Sequence, residues 1–326
     1  MHTPRPQPIA IVFVHMGYSP YLAATMRCAK LTNPDAQCFF IGDAANKQVT
    51  EQSGWEHVAI SDLGSPLHDR FLNCYKLLAS PNHSDHFLPY DLTKFCLERY
   101  FFASTLAQRR GFQKFWMFDS DDIIAEPLLP FQEALLARGA RCTRMANNRA
   151  LRGLMDATVL AEFCGFVVGL YSDQNFMAEK SQFYANSATF AAFTDMSAGE
   201  MFPLSAPGCV HLADSVSGWH FDDCIVEPHG FEMTRLGHFT PLMMKRIRFD
   251  GHHFIGKGPN GPVKLATING SCLAPQTFRW FAESLEARGQ DRGRPGDIVS
   301  QRPWLIRELL YLAKVRLKRA LIGRAA

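Results

Sequence analysis

No Cys-x-x-Cys pair occurs among the nine cysteines, which lie scattered from Cys28 to Cys272. A disulfide scaffold or a structural zinc site needs tighter clustering, so neither organises this chain. Several of these cysteines sit inside apolar runs and read as reduced core residues, which predicts a cytoplasmic setting. Long apolar runs are lacking too: none approaches the about 20 residues that span a bilayer. The stretch Ile9 to Val14 follows Pro6 and Pro8 and is too short for the apolar region of a secretion signal, so none is expected. Charge of one sign is also scarce. A net charge of +3 on 326 residues does not predict a nucleic-acid partner. Neither a repeat nor a low-complexity linker interrupts the sequence.

What is present is an ordinary globular composition, 47% hydrophobic and 20% charged. A chain of this length buries roughly 75% of the surface its unfolded form exposes. The simplest organisation is one domain over residues 1–285, followed by a linker and a basic C-terminal helix over 286–326.

The first part of the chain alternates strand and helix signals. Ile9 to Val14 is a continuous apolar, β-branched run, as a strand covered on both faces requires. Ser19-Pro20 reads as a cap with proline at the first helical position, and the helix runs to Leu31, where Asn33-Pro34-Asp35 stops it. Cys38 to Ile41 and His57 to Ile60 read as further strands. This rhythm predicts an α/β fold with a mostly parallel, doubly wound sheet. A helix from about Asp91 to Arg109 follows, with Leu92, Phe95, Phe102 and Leu106 on its apolar face. Arg99 falls on that same face. An unpaired buried guanidinium is costly, so Arg99 must reach a carboxylate, a phosphate or a polar cleft. An internal salt bridge would satisfy it equally well.

The buried strand Lys114 to Phe118 ends abruptly in Asp119-Ser120-Asp121-Asp122. Ligands of open parallel sheets bind beyond the carboxyl ends of strands. Carboxylates crowded at one strand end repel unless a cation joins them, and hard divalent ions favour oxygen ligands together with substrate phosphates. The acidic stretch therefore reads as a Mn²⁺ or Mg²⁺ bridge to a phosphorylated ligand. The alternative is a plain turn and helix cap, since Asp and Ser favour both.

A hydrophobic strand ending in Asp-x-Asp, about twenty residues after an Arg-bearing helix, resembles the GT-A glycosyltransferases, in particular their glycogenin-like and capsular-polysaccharide branches. The opening IAIVFVHMGYSPYLAATMRCAKLTNPDAQCFFIGD resembles the first strand, helix and second strand of that fold, and LERYFF sits where those families place an arginine near the donor. The similarity covers roughly residues 8 to 130 and continues more weakly to about 275. It implies a metal-dependent glycosyltransferase of polysaccharide biosynthesis. The substrates would be a nucleotide-sugar donor and a glycan, lipid-linked or other surface acceptor, and the glycogenin-like features lean towards retention. Carried over, Asp119 and Asp121 would contact ribose or metal, with Ser120 between them. Val14 and His15 would border the nucleobase and ribose, and Arg99 would approach the donor sugar or phosphate.

Further candidates follow from the second half. Gly251 to Gly258, GHHFIGKG, resembles a motif in which a histidine binds the metal and a lysine the diphosphate, which assigns His253 as a metal ligand and Lys257 to the donor. It reads equally as a hairpin returning through Val263 to Ile268. In the capsular-type branch the histidine would follow that return strand, where this chain has Ile268-Asn269-Gly270. Asp195, after an apolar segment, is either a donor-sugar or catalytic acid or part of a helix cap. Asp222 is a candidate general base.

From Arg302 to Arg324 there are seven basic residues against the single acid Glu308. Ile306, Leu310, Ala313, Leu317 and Leu321 form one apolar stripe there. A basic amphipathic helix of this kind fits peripheral contact with an anionic membrane surface, or equally packing against the domain. Two competing functions remain open: a catalytically inactive GT-A module that binds nucleotide-sugar as a scaffold, and a haloacid-dehalogenase-type phosphatase. The latter places its Asp-x-Asp at the first strand, whereas here it lies past residue 115.

Overall fold

The structure, a computed structural model, describes residues 9–83, 91–145, 149–189, 191–203, 208–212, 216–235, 242–289 and 296–298. The basic segment 303–326 lies outside the described residues. The chain divides into two compact units, each gathered from three stretches of sequence. The first comprises the chain up to Ser19, then Asn33–Ser120 and Pro127–Ser217; the second comprises Pro20–Thr32, Asp121–Glu126 and the chain from Gly218. Strands and helices are numbered along the whole chain.

The first unit is built on a seven-stranded sheet. Strand β1 (Ala10–Val14) is buried at every residue and β2 (Gln37–Gly42) at all but its first, as strands covered on both faces must be. With β3 (Glu56–Ala59) and β4 (Lys114–Asp119) they form a parallel array in the order β3-β2-β1-β4. Beyond β4 the expected parallel pattern changes. Strands β6 (Cys142–Arg144), β7 (Leu151–Asp156) and β8 (Cys209–His211) continue in the order β4-β7-β6-β8. β7 runs antiparallel to both its neighbours, and β8 is parallel to β6. The sheet is mixed, with parallel pairs predominating.

Helices α2 (Ala44–Gln52), α3 (Pro66–Cys74), α4 (Leu92–Arg110), α5 (Leu129–Ala137), α6 (Ala157–Ser172), α7 (Gln174–Ala185) and α8 (Asp195–Met201) complete this unit. α4 matches its sequence signals closely. Asp91 caps it by accepting from the Lys94 N–H at 2.7 Å, and Gly111 ends it in the left-handed conformation (φ 68). Phe95, Phe102 and Leu106 are buried as expected, but Leu92 is 41% exposed because it is the first helical residue. In α6, Val159, Leu160, Phe163, Cys164, Val167 and Tyr171 recur at helical spacing and join Phe101, Phe115 and Met117 in one core. Each such aromatic contributes roughly 1.5–3 kcal/mol through burial.

In the second unit, α1 (Leu22–Thr32) packs against α9 (Pro275–Glu286) and β5 (Asp122–Ile124). α1 starts two residues later than its proline suggests. Pro20 and Tyr21 form a turn, and the Tyr21 carbonyl accepts from Ala24 and Thr25. The sheet of this unit has the order β15-β12-β13-β14-β5, with β9 paired parallel to β14. Its strands are β9 (Trp219–Phe221), β12 (Ile247–Phe249), β13 (Phe254–Gly258), β14 (Gly261–Asn269) and β15 (Gly296–Asp297). β10 (Met233–Arg235) and β11 (Met243–Lys245) form a separate pair. GHHFIGKG is part of a hairpin. Asp250 Oδ1 accepts from the His252 and His253 N–H groups at 2.8 and 2.7 Å, which organises the turn between β12 and β13. Phe249, Phe254, Phe278 and Phe281 centre the core.

Candidate functional site

The chain winds outward from β1 through β2 to β3, then returns to β4 on the other side of β1. That reversal is the switch point at which open sheets take ligands. At its carboxyl end Val14 of β1 and Asp119 of β4 stand in register. Val14 is buried, so its side chain belongs to the core, and the residues after it carry the polar chemistry.

The loop after β1 is held by α2. Asn46, fully buried, donates from Nδ2 to the carbonyls of His15 (3.0 Å) and Gly17 (3.1 Å). Its Oδ1 lies 3.1 Å from His57 Nε2. The Gly17 N–H donates to Asp43 Oδ2 at 2.8 Å, and Gly17 adopts φ 78, a conformation glycine reaches without strain. Gly42 is equally constrained, for a Cβ there would stand 2.0 Å from Asn46 Oδ1. His15 projects from this loop with Nδ1 2.9 Å from Ser120 Oγ and Nε2 3.1 Å from Ser19 Oγ. Burial lowers the His15 pKa below its usual value against the opposing pull of Asp43. The imidazole is therefore neutral at pH 7, with one ring nitrogen donating and the other accepting.

Beside this contact lies a charged network. Asp119 Oδ1 accepts from Arg99 Nη1 and Oδ2 from Arg152 Nη1, the latter at 2.9 Å. Arg99 also donates from Nη2 to Asp195 Oδ2 at 2.6 Å, and the Tyr100 hydroxyl lies 3.1 Å from the same oxygen. The internal salt bridge expected of Arg99 is thus formed twice. Burial works against the Asp119 carboxylate, yet Arg99 and Arg152 outweigh it and hold its pKa below the usual range. Burial likewise opposes the Arg99 charge, and Asp119, Tyr100 and Asp195 more than restore it. Among the described residues Arg99 Nε has no hydrogen-bond partner although it is buried. Thr194 caps α8, so Asp195 is the first helical residue and not the cap itself, and it is buried.

Asp121 and Asp122 belong to the second unit. The Asn269 side chain, at the end of β14, donates to Asp122 Oδ1 at 3.0 Å and reaches Asp121 Oδ1 at 3.3 Å. Ser271 Oγ donates to Asp121 Oδ2 at 3.1 Å. The Gly270 N–H donates to the Asp121 carbonyl at 2.9 Å, and a Cβ at Gly270 would strike the Phe278 ring. The Asn269 amide turns its nitrogen to both carboxylates, so the oxygens of this cluster are those of Asp121, Asp122 and the Ser271 hydroxyl, the donor type that hard divalent ions favour.

The other expected site residues are engaged elsewhere. His253 Nδ1 lies 3.1 Å from Glu126 Oε1, and Arg288 holds the same carboxylate. Lys257 is exposed and pairs with Glu232 at 3.1 Å. Asp222 is buried against the equally buried Lys245 ammonium and accepts from the Asn269 N–H at 3.2 Å. Among the described residues no group of three or more His, Cys, Asp or Glu side chains is arranged to hold a metal ion.

Sequence reasoning missed Arg152, Asn46 and Ser271. Arg152 carries a faint signal, as a charge inside the apolar strand Leu151–Asp156, and charges there need a partner.

No protein-family model matches the chain, and no curated protein matches it. Among solved structures the glycosyltransferase GlyE of Streptococcus pneumoniae TIGR4 is similar at 11% identity over 56% of this chain and 44% of that one, with a TM-score of 0.30. The apo-form of GlyE is 12% identical over 63% of this chain and 45% of its own, with a TM-score of 0.34. The PaToxG glycosyltransferase is 13% identical over 53% of this chain and 65% of its own, with a TM-score of 0.29. The chain spans less than two thirds of the length of each.

Proposed function

We propose that this chain is a metal-dependent glycosyltransferase that moves a sugar from a nucleoside-diphosphate donor to a glycan or lipid-linked acceptor. The observation that carries this reading is the position of Asp119. It ends β4 at the switch point of a parallel array, in register with the end of β1, and opens the run Asp119-Ser120-Asp121-Asp122. Nucleotide ligands suit that position because open α/β sheets take ligands beyond the carboxyl ends of their strands at such a reversal.

In this reading His15 and Ser120 border the ribose, where a neutral imidazole can donate to or accept from a hydroxyl. Among the described residues the buried Arg99 Nε–H lacks an acceptor, which an oxygen of the sugar donor would supply. Asp119 and Asp195 hold that guanidinium from two sides and so fix its direction. Two arginines already neutralise Asp119, which makes it a poor cation ligand and an effective anchor. The Asp121 carboxylate and the Ser271 hydroxyl beside it offer oxygens that would hold Mn²⁺ or Mg²⁺, with the Asn269 amide nitrogen steadying the carboxylate. When bound, such an ion supplies Lewis-acid neutralisation of the departing diphosphate.

The test is a thermal shift of the full chain with UDP-, GDP-, dTDP- and CMP-sugars, with and without Mn²⁺. One nucleotide class should stabilise the protein only when the metal is present, and Asp121→Ala should abolish that shift. Stabilisation by no nucleotide, or a shift that survives Asp121→Ala, would sink the reading.

A second reading is supported by the saturation of Asp119 by two guanidiniums. It is a module that binds nucleotide-sugar without turning it over. Hydrolysis or transfer of the bound sugar, followed with a radiolabelled donor, separates the two. We further assign contact with anionic lipid to the basic segment 303–326, on its composition alone. Salt-sensitive sedimentation with phosphatidylserine vesicles, lost on deleting that segment, would support this. Sedimentation unchanged by the deletion would remove it.

A further inference from the structure

Strand β8 ends the seven-stranded sheet, and Cys209, its first residue, stands in parallel register with Cys142, the first residue of β6. The two sulfurs are 3.4 Å apart, with the Cys142 S–H directed at Cys209 Sγ. Neighbouring strands run about 4.8 Å apart. That spacing falls inside the range of Cα separations, about 4.4–6.8 Å, that disulfides bridge. Closing the bond requires the sulfurs to approach to about 2.05 Å, and β8, paired on one side only among the described residues, can shift to allow it.

The two thiols are not equivalent. Cys142 is buried, whereas Cys209 is half-buried and is the sulfur a reagent meets first. The hydrogen bond from Cys142 lowers the Cys209 pKa, and Arg144 adds to this against the effect of partial burial. The same hydrogen bond and burial keep Cys142 a thiol. Arg144 stands two residues beyond Cys142, on the same face of β6.

The geometry points to Cys142 and Cys209 as a reversible disulfide site that is closed by a hydroperoxide. The Cys209 thiolate attacks the peroxide, an S–O bond forms, the O–O bond breaks, and hydroxide or alkoxide leaves. The Cys142 sulfur then attacks the sulfenic sulfur of Cys209. The S–S bond forms, the S–O bond breaks, and water departs with the Cys142 proton. Two thiols are oxidised and one peroxide is reduced to two waters, or to water and an alcohol. A dithiol reductant reverses the reaction by exchange. Arg152 and Asp195 both lie within the loop of chain that this bond would close.

The test uses the full chain treated with graded hydrogen peroxide, alkylated, digested without reduction and analysed by tandem mass spectrometry. A peptide linking Cys142 to Cys209 should appear, vanish with dithiothreitol, and form at a lower peroxide dose than oxidises the exposed Cys272. In Cys142→Ser, Cys209 should instead accumulate sulfenic acid that dimedone traps. If that variant does not fold, the cross-link in the unaltered protein decides alone. Oxidation of Cys272 while Cys142 and Cys209 still alkylate would overturn the proposal. So would a link from Cys209 to Cys224, or conversion of Cys209 to sulfinic acid with no cross-link.

Discussion

Arg152, a buried residue of β7, donates from Nη1 to Oδ2 of Asp119 at the end of β4 across 2.9 Å. With Arg99 on the other oxygen, Asp119 compensates two guanidiniums that the fold has taken out of water. Asp119→Ala should therefore lower folding stability by about 3 kcal/mol, the usual cost of leaving a buried charge without its partner. Urea denaturation measures it. A variant as stable as the parent would show that the network does not contribute to the fold.

Gly42 and Asn46 should behave as a coupled pair. Gly42→Ala forces a methyl group against Asn46 Oδ1 and is expected to cost roughly 1–3 kcal/mol, as overpacked cores do. Asn46→Ala loses the hold on the His15 and Gly17 carbonyls at a similar cost. In a double-mutant cycle the combined loss should be smaller than the sum, because the second change makes room for the first. Strict additivity would mean that the loop shifts rather than clashes.

His15 should give the protein a stability slope in mild acid. Its folded pKa lies below the unfolded value of 6.5, so the unfolded chain takes up the proton first as pH falls. Stability from this group is complete above about pH 6.5 and is lost as pH drops through the folded pKa. His15→Gln removes the titration, and its stability between pH 7.5 and pH 5 should fall less steeply than that of the parent. Parallel curves would mean that His15 titrates equally in both states.

Lys245 and Asp222 form a buried pair in the second unit. Lys245→Met should destabilise the fold by about 3–5 kcal/mol, because it strands a carboxylate in the interior. Adding Asp222→Leu should recover much of that loss. The double variant should also keep nucleotide-sugar binding, since neither residue is assigned to the donor site. Loss of turnover at full binding would instead return Asp222 to the chemistry.

The parts of the fold legible in the sequence are those specified by neighbours close along the chain. β1 and β2 are short continuous apolar runs, and α4 carries its own cap, its own glycine stop and its own three-and-four spacing. Asp119 was legible because an acid closing a buried strand is anomalous. Its partnership with Arg152 was not, because 33 residues separate them and only the antiparallel register of β4 and β7 brings them together. Asn269 was noticed only as the place where a histidine was missing. Its grip on Asp121 and Asp122 depends on β14 pairing with β5 across nearly 150 residues, a register no local pattern encodes. The partnership of Asp222 with Lys245 was hidden for the same reason, because only tertiary folding brings that lysine to it.

The chain passes between its two units five times, at residues 19/20, 32/33, 120/121, 126/127 and 217/218. That weaving governs how the protein can be made. Helix α1 and strand β5 leave the ribosome early, but their partners α9 and β14 are synthesised only after residue 260. Until then Cys28 and Ile123, whose elements pack on each other, lack the β14 and α9 side of their core. The second core combines local hairpin pairing, β12 with β13 and β13 with β14, with the distant contacts of α1 and β5, so it cannot be completed until β14 and α9 are made. A ribosome that stalls near residue 217 releases a chain whose first unit is complete in sequence and whose second is represented only by α1 and β5, a natural substrate for chaperones and proteases.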